Sequence, residues 1–307
     1  LSANAPLLQY WFAKTNHPLS RDPYFLYAAS NLGSILALLT YPLLFEPNLD
    51  LWSQSLSWSI GYCVLILMVS ICGILLWSRN ARGPSSEITS ATHFAGETSW
   101  PYRIRWILLA FAPSSLMLGV TAHITTEIAA VPLLWVIPLT IYLLTFVIAF
   151  AGKPLIPHSW VVKLQPFVVI VLVIVIWNPV LPSLLLILPN LLLFFVTAMM
   201  CHGELVRLRP KVDDLTQFYI WIAVGGMMGG IFNALVAPLL FDYVLEYAIA
   251  LVFACALRPI PKTDVQKMVS YGDFIYPGLV LGIALLLLVY FGWRLGSVEN
   301  SGIFVLM

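Results

Sequence analysis

Apolar runs long enough for about 20 helical residues, the length that crosses a hydrocarbon layer, follow one another along the whole 307-residue sequence. Such a chain has few ways to fold, because lipid offers no water to backbone amides and carbonyls. Only helices and closed barrels satisfy those groups internally. The runs are continuous rather than alternating, which selects helices. Composition agrees: 61% of residues are hydrophobic and 9% charged, against roughly 45 to 50% apolar and 25% charged in soluble domains. The chain reads as an all-α, polytopic transmembrane helical bundle with the lipid bilayer as its first partner. No stretch is left for a sizeable soluble domain, and there is no basic surface for nucleic acid.

Spans are expected at 23–45, 52–77, 104–122, 126–151, 160–177, 182–202, 215–238, 239–257 and 274–293, about nine crossings. The segment 239–257 carries Asp242 and Glu246 and either spans or re-enters. When Lys and Arg are assigned to alternate loops, fourteen of the fifteen fall on one side and only Arg294 on the other. A basic loop resists translocation, so that side is cytoplasmic; the expected location is a bacterial inner membrane, crossed many times. Leu1 to Phe12 is too short to span and reads as the end of a half helix running from outside to inside, its beginning lying upstream. Residues 1–77 then close an N-terminal helical half, 78–105 form a Ser-, Thr- and Gly-rich cytoplasmic linker, and 106–307 make a C-terminal half. Cys63, Cys72, Cys201 and Cys255 lie in apolar runs without a CxxC pair and read as small core residues rather than disulfides or zinc ligands.

Polar residues inside such runs are the places to look for function. In "LLLFFVTAMMCHGELVRLRP", His202 and Glu204 are two apart, so on a helix they point about 200° away from each other and do not share an ion. Glu204 lies three before Arg207, the spacing of a surface ion pair, and the cluster reads as a helix end with snorkelling, locally paired side chains. In "AHITTEIAAVP", His123 and Glu127 share a face at i and i+4 if the helix continues. Two readings stand: a proton- or cation-binding pair lining an external vestibule, or a hairpin turn whose acid meets water. A small organic cation is the ligand the first reading implies, with Trp135 and Tyr142 as its nearest aromatic candidates.

Asn31, Asn190 and Asn233 lie within apolar spans that Pro42, Pro113, Pro138, Pro166 and Pro189 interrupt. Together they suit a polar cavity built from broken helices, and equally suit interhelical bonds worth about 1 kcal/mol each. In "GGMMGG", the pairs Gly225 with Gly229 and Gly226 with Gly230 are overlapping GxxxG motifs that admit a close neighbouring helix. No Walker motif, nucleophile elbow or zinc signature occurs, so neither a catalytic residue nor a cofactor is expected.

The strings "SRDPYFLYAASNLGSILALLTYPLLFEP", "PSSLMLGVTAHITTEIAAVPLLWVIPL", "CHGELVRLRP" and "FYIWIAVGGMMGGIFNALVAPLLF" resemble the membrane portion of fused major-facilitator/spermidine-synthase-like proteins over most of Leu1 to Tyr247. The resemblance implies a major-facilitator-like topology lacking its first helices, with 22–45 and 52–77 as the fifth and sixth helices and 78–105 as the central loop. It also implies, for many members, a cytoplasmic aminopropyltransferase-like domain after the last helix. This chain holds neither a G-x-x-x-D-R transporter signature nor a G-x-G-x-x-G strand–loop–helix. The expected function is a non-enzymatic transporter-like module or an accessory subunit docking other membrane proteins. The alternative is the membrane anchor of a spermidine-synthase-like enzyme whose catalytic domain lies outside this chain.

Overall fold

The structure, a computed structural model, describes residues 4–13, 15, 17–80, 100–128, 133–152, 155–176, 182–210, 214–241 and 245–259. Among the described residues it is helical and contains no strand. The helices are α1 (Asn4–Ala13), α2 (Phe25–Asn48), α3 (Leu51–Asn80), α4 (Trp100–His123), α5 (Val136–Phe150), α6 (His158–Ile176), α7 (Ile187–Arg207), α8 (Leu215–Leu240) and α9 (Leu245–Ala256).

Contacts between helix ends define an up-and-down order. The start of α4 meets the ends of α7 and α9, where Trp106 Nε1 donates to Leu208 O at 3.1 Å and Arg105 Nη2 to Leu257 O at 3.4 Å. The start of α2 meets the chain after α7 through the bond from Tyr24 Oη to Pro210 O, 2.9 Å. The end of α5 reaches the start of α2, Phe150 lying 5.1 Å from Tyr27, and the first turn of α6 reaches Glu204 near the end of α7. Phe218, in the first turn of α8, packs 5.1 Å from Trp106. Starts of α2, α4, α6 and α8 thus gather at one end with the ends of α5, α7 and α9. Arg103, Arg105, Lys163, Arg207, Arg209 and Arg258 all belong to that end. Six of the fourteen basic residues expected on one side thus share one end of the bundle.

Among the described residues six helices are long and apolar enough to cross a membrane: Phe25–Asn48, Leu51–Ser78, Trp100–Thr126, His158–Val175, Ile187–Arg207 and Leu215–Leu240. Two expected spans are shorter. The one at 126–151 is the 15-residue α5 and the one at 239–257 the 12-residue α9, about 22 and 18 Å long where a hydrocarbon core is about 30 Å. Residues 126–128 belong instead to a wide π-turn, Ile124–Ile128, that prolongs α4. The expected linker is also narrower, since helix occupies 78–80 and 100–105; residues 81–99 and the ninth expected span at 274–293 lie outside the described residues.

Proline explains two further π-turns. Pro42 lies within Tyr41–Phe45 of α2, and Pro238 follows Phe232–Val236 of α8 by two residues. The ring lacks an N–H and clashes with the carbonyl four residues back, so the helix widens locally rather than ending. All three wide turns lie toward the end of the bundle opposite the arginines.

Helix α4 is the axis around which the rest is arranged, packing on α5, α7, α8 and α9. The approach to α8 depends on Gly225 and Gly229. A Cβ on Gly225 would collide with Ile107 O and the Ala110 methyl, and one on Gly229 would lie 2.8 Å from Phe111 O and 2.9 Å from Ser114 Cβ. Hydrogen bonds then cross the contact, from Ser114 Oγ to Gly226 O at 2.9 Å and from Asn233 Nδ2 to Ser115 Oγ at 2.7 Å. The second pair, Gly226 and Gly230, does not make such a contact: nothing lies within 4 Å of a Cβ on either. Adjacent positions on a helix are turned about 100° apart, so only one of the two motifs faces α4. On the α9 side, Gly119 brings α4 within 3.0 Å of the Tyr247 backbone, measured from the Cβ position it lacks.

Candidate functional site

Near the end of α7, the apolar run turns Glu204 inward. Its side chain is 5% exposed and its carboxylate takes three nitrogen-bearing neighbours, two guanidiniums and an imidazole: Arg207 Nη1 at 3.1 Å, His158 Nε2 at 3.2 Å and Arg105 Nη2 at 3.5 Å. The pair with Arg207 is the i,i+3 pair expected from spacing. The neighbours from α6 and α4 are not local, and they change the reading. Glu204 is not a snorkelling surface acid but a buried knot joining α4, α6 and α7. Gly203 makes room for it, since a Cβ there would collide with the His158 imidazole.

His202 is likewise buried rather than interfacial. It points toward α5, where its ring stacks on Phe146 at 3.7 Å and its Nδ1 lies 2.9 Å from Thr145 Oγ1. The two residues therefore face different helices, as their 200° separation requires. An aromatic array continues from His202 across the bundle: Phe146 to Tyr27 at 5.4 Å, then Tyr27 to Tyr219 at 4.8 Å, with Tyr142 5.3 Å from His202. Gln9 of α1 faces the Tyr219 phenol, yet neither amide atom of Gln9 nor the phenol oxygen closes a hydrogen bond of good geometry. His202 Nε2, Thr197 Oγ1 and Asn190 Oδ1 are also buried without a hydrogen-bond partner.

His123 ends α4 and stacks on Tyr247 of α9, ring centroids 5.5 Å apart and 21° from parallel. Helix does continue past it, but as the wide turn Ile124–Ile128, which contains Glu127; the Glu127 side chain lies outside the described residues. Of the two aromatic candidates, Trp135 is largely exposed, whereas Tyr142 lies one helical stretch further along α5, against His202. Leu133, in the bend before α5, has φ of 63°, a left-handed conformation that costs a leucine about 1 to 2 kcal/mol.

The three asparagines lie on three helices and turn mainly to their own backbones. Asn31 Nδ2 donates to Tyr27 O at 2.8 Å, Asn190 Nδ2 to Leu186 O at 2.9 Å, and Asn233 Nδ2 to Gly229 O at 3.0 Å besides Ser115. Among the described residues no hydrogen bond links one of them to another. Among the described residues, Asn233 is the one of the three that bonds to a side chain of a neighbouring helix.

Among the described residues no three His, Cys, Asp or Glu side chains converge as a metal site would require. The cysteines are free thiols and divide: Cys201 is buried and Cys255 partly so, but Cys63 and Cys72 are exposed on α3 rather than in a core. At the arginine-bearing end, burial pushes the Tyr24 phenol above its ordinary range while Arg209, stacked 5.0 Å over its ring, opposes that rise. Arg209 also bonds Asp22 Oδ2 at 2.9 Å.

No family model, no curated protein and no solved structure matches this chain.

Proposed function

We propose that this chain is a non-enzymatic, transporter-like module of a bacterial inner membrane, with its arginine-bearing end cytoplasmic. The observation that supports this most directly is the interior polar array: Gln9 facing the Tyr219 phenol, with Asn190, Thr197 and His202 also buried in the bundle. A helical anchor gains nothing from such groups, whereas a bundle that opens to admit water and solute has partners for them in its open state. The segregation of arginines to one end supports the orientation.

The His123–Glu127 turn is proposed as the external entry. His123 stacked on Tyr247 provides an aromatic surface there, and the strained Leu133 fixes the bend that follows. With Glu127 as its acid, a small organic cation such as a polyamine is the solute class. The full-length protein reconstituted in liposomes should take up labelled spermidine in a pH-dependent manner, and Glu127→Gln should lower that uptake. Background flux from both proteins would remove the transport reading.

A second reading, an accessory subunit, is favoured by α3, whose apolar side chains are exposed over most of its surface, among them Trp52, Trp58, Met68 and Trp77. Co-purification of a stoichiometric membrane partner that covers α3 would select it. The fused major-facilitator/spermidine-synthase-like assignment remains a proposal resting on the quoted strings; a spermidine-synthase-like domain encoded downstream would turn the module into that enzyme's anchor.

A further inference from the structure

The cluster around Glu204 is out of charge balance. One carboxylate faces two guanidinium groups and an imidazole, and Arg258 follows directly on Leu257, whose carbonyl accepts from Arg105. Arg258 Nε is buried without a hydrogen-bond partner, as is Nδ1 of His158. Arg207 is 54% exposed and Arg105 38%, so both carry donors outward that Glu204 does not use. Across this end the described acids are Asp22, Glu204 and Asp214, against Arg103, Arg105, Lys163, Arg207, Arg209 and Arg258. Asp22 is already taken by Arg209. The excess is therefore concentrated where α4, α7 and α9 meet.

Exposed aromatic residues fix the depth of this cluster. Trp100 and Tyr102 stand exposed in the first turn of α4, and Trp160 in the first turn of α6, two residues from His158. Exposed tryptophan and tyrosine at helix ends mark the head-group level of a bilayer. The unused guanidinium donors of Arg105 and Arg207 thus lie at the level of lipid phosphates. A guanidinium matches a phosphate bidentately, and basic pockets between spanning helices suit anionic head groups.

We propose that Arg105, Arg207 and Arg258 form a binding site for the phosphate of an anionic lipid head group, seated beside the Glu204 knot and closing the junction of α4, α7 and α9. Glu204 orients two of the guanidiniums, and three arginines against its one carboxylate leave two net positive charges for the ligand. The lipid adds to the polar ties that already join these helices there, the Trp106–Leu208 and Arg105–Leu257 hydrogen bonds and the Arg105–Glu204 ion pair.

The experiment compares the full chain in phosphatidylcholine nanodiscs with and without phosphatidylglycerol, reading the thermal unfolding midpoint and, by native mass spectrometry, retained lipid. The expected result is a higher midpoint and retained phosphatidylglycerol in the parent. Arg207→Gln, a largely exposed position, should weaken retention about five-fold, as for one lost cation near the surface. Lys163→Gln, which removes an exposed charge at the same end but outside the cluster, should leave retention unchanged. Added salt should weaken retention as screening grows. Equal losses in Arg207→Gln and Lys163→Gln would mean diffuse attraction and overturn the site. Full retention in Arg207→Gln would also overturn it. If inorganic phosphate in lipid-free detergent gives the parent the same stabilisation, the site belongs to a soluble anion and the lipid assignment fails.

Discussion

Helices α3 and α4 are both long enough to cross a membrane and have opposite fates. The most apolar window of α3 has none of its residues buried, whereas 56% of that of α4 is buried. Yet α3 is the more apolar of the two. Among the described residues its ties include Gln54, bonded by Tyr41 Oη at 3.1 Å, and Gly73, 3.3 Å from the Trp11 ring measured from the missing Cβ. Helix α4 instead carries Ser114, Ser115, Gly119 and an internal Pro113, all buried. Small and polar residues let helices approach and bond in lipid, where apolar area alone provides no preference for another helix over an acyl chain. The helix that looks most like a membrane span is therefore the peripheral one.

If this contrast is right, substitutions should be costly on the α4 side and quiet on α3. The largest effect is expected at Glu204. Glu204→Ala leaves Arg105, Arg207 and His158 facing one another and should cost about 3 kcal/mol, the low end for a broken buried ion pair because both guanidiniums are partly hydrated. Thermal unfolding in detergent measures it, and a loss no greater than that of an exposed surface pair would return Glu204 to the helix-end role its spacing suggests.

Next comes the contact between α4 and α8. Gly225→Leu should destabilise by about 1 to 3 kcal/mol through overpacking against Ile107 and Ala110, while Gly226→Leu and, on α3, Gly61→Leu should stay within about 0.5 kcal/mol. Nothing lies within 4 Å of a Cβ at either of those two positions. A Gly226→Leu as damaging as Gly225→Leu would mean that another helix covers the second face of α8.

Gln54→Ala probes one of these ties of α3. Losing its bonds to Tyr41 and to Leu49 O should cost about 1 kcal/mol; a larger loss would show α3 to be more integrated than its exposure indicates. The smallest effect concerns Asp50, which precedes α3 and is held by Ser53, the hydrogen bond that lowers its pKa. A depressed carboxylate stabilises the fold above the ordinary carboxylate range and loses that contribution as pH falls through the folded value. Asp50→Asn should therefore flatten the acid limb of a stability–pH curve while leaving neutral pH nearly unchanged, and an unaltered acid limb would remove Asp50 as its source.

The candidate site was legible only where it was local. Glu204 and Arg207 are three residues apart, so their pair follows from helical spacing. Arg105 and His158 reach the same carboxylate from other helices, and no local pattern encodes that meeting. The buried stack of His202 on Phe146 was hidden for the same reason. The glycine motif was half legible: two overlapping pairs announce a close approach, but the rotation of α8 about its axis decides which pair makes it. The wide turn after His123 was foreshadowed by continuing helix, though not by its pitch.

By itself the sequence determined that this chain is a stack of apolar helices, where most of them begin and end, and which of their ends are basic. Those features follow from backbone groups that lipid cannot satisfy and from charges that resist transfer across it. Only the tertiary structure decided which helix is the axis and which the rim, and which carboxylate is buried among cations. Leucine side chains and acyl chains are equally apolar, so hydropathy does not distinguish inside from outside in a membrane; close packing and a few hydrogen bonds do.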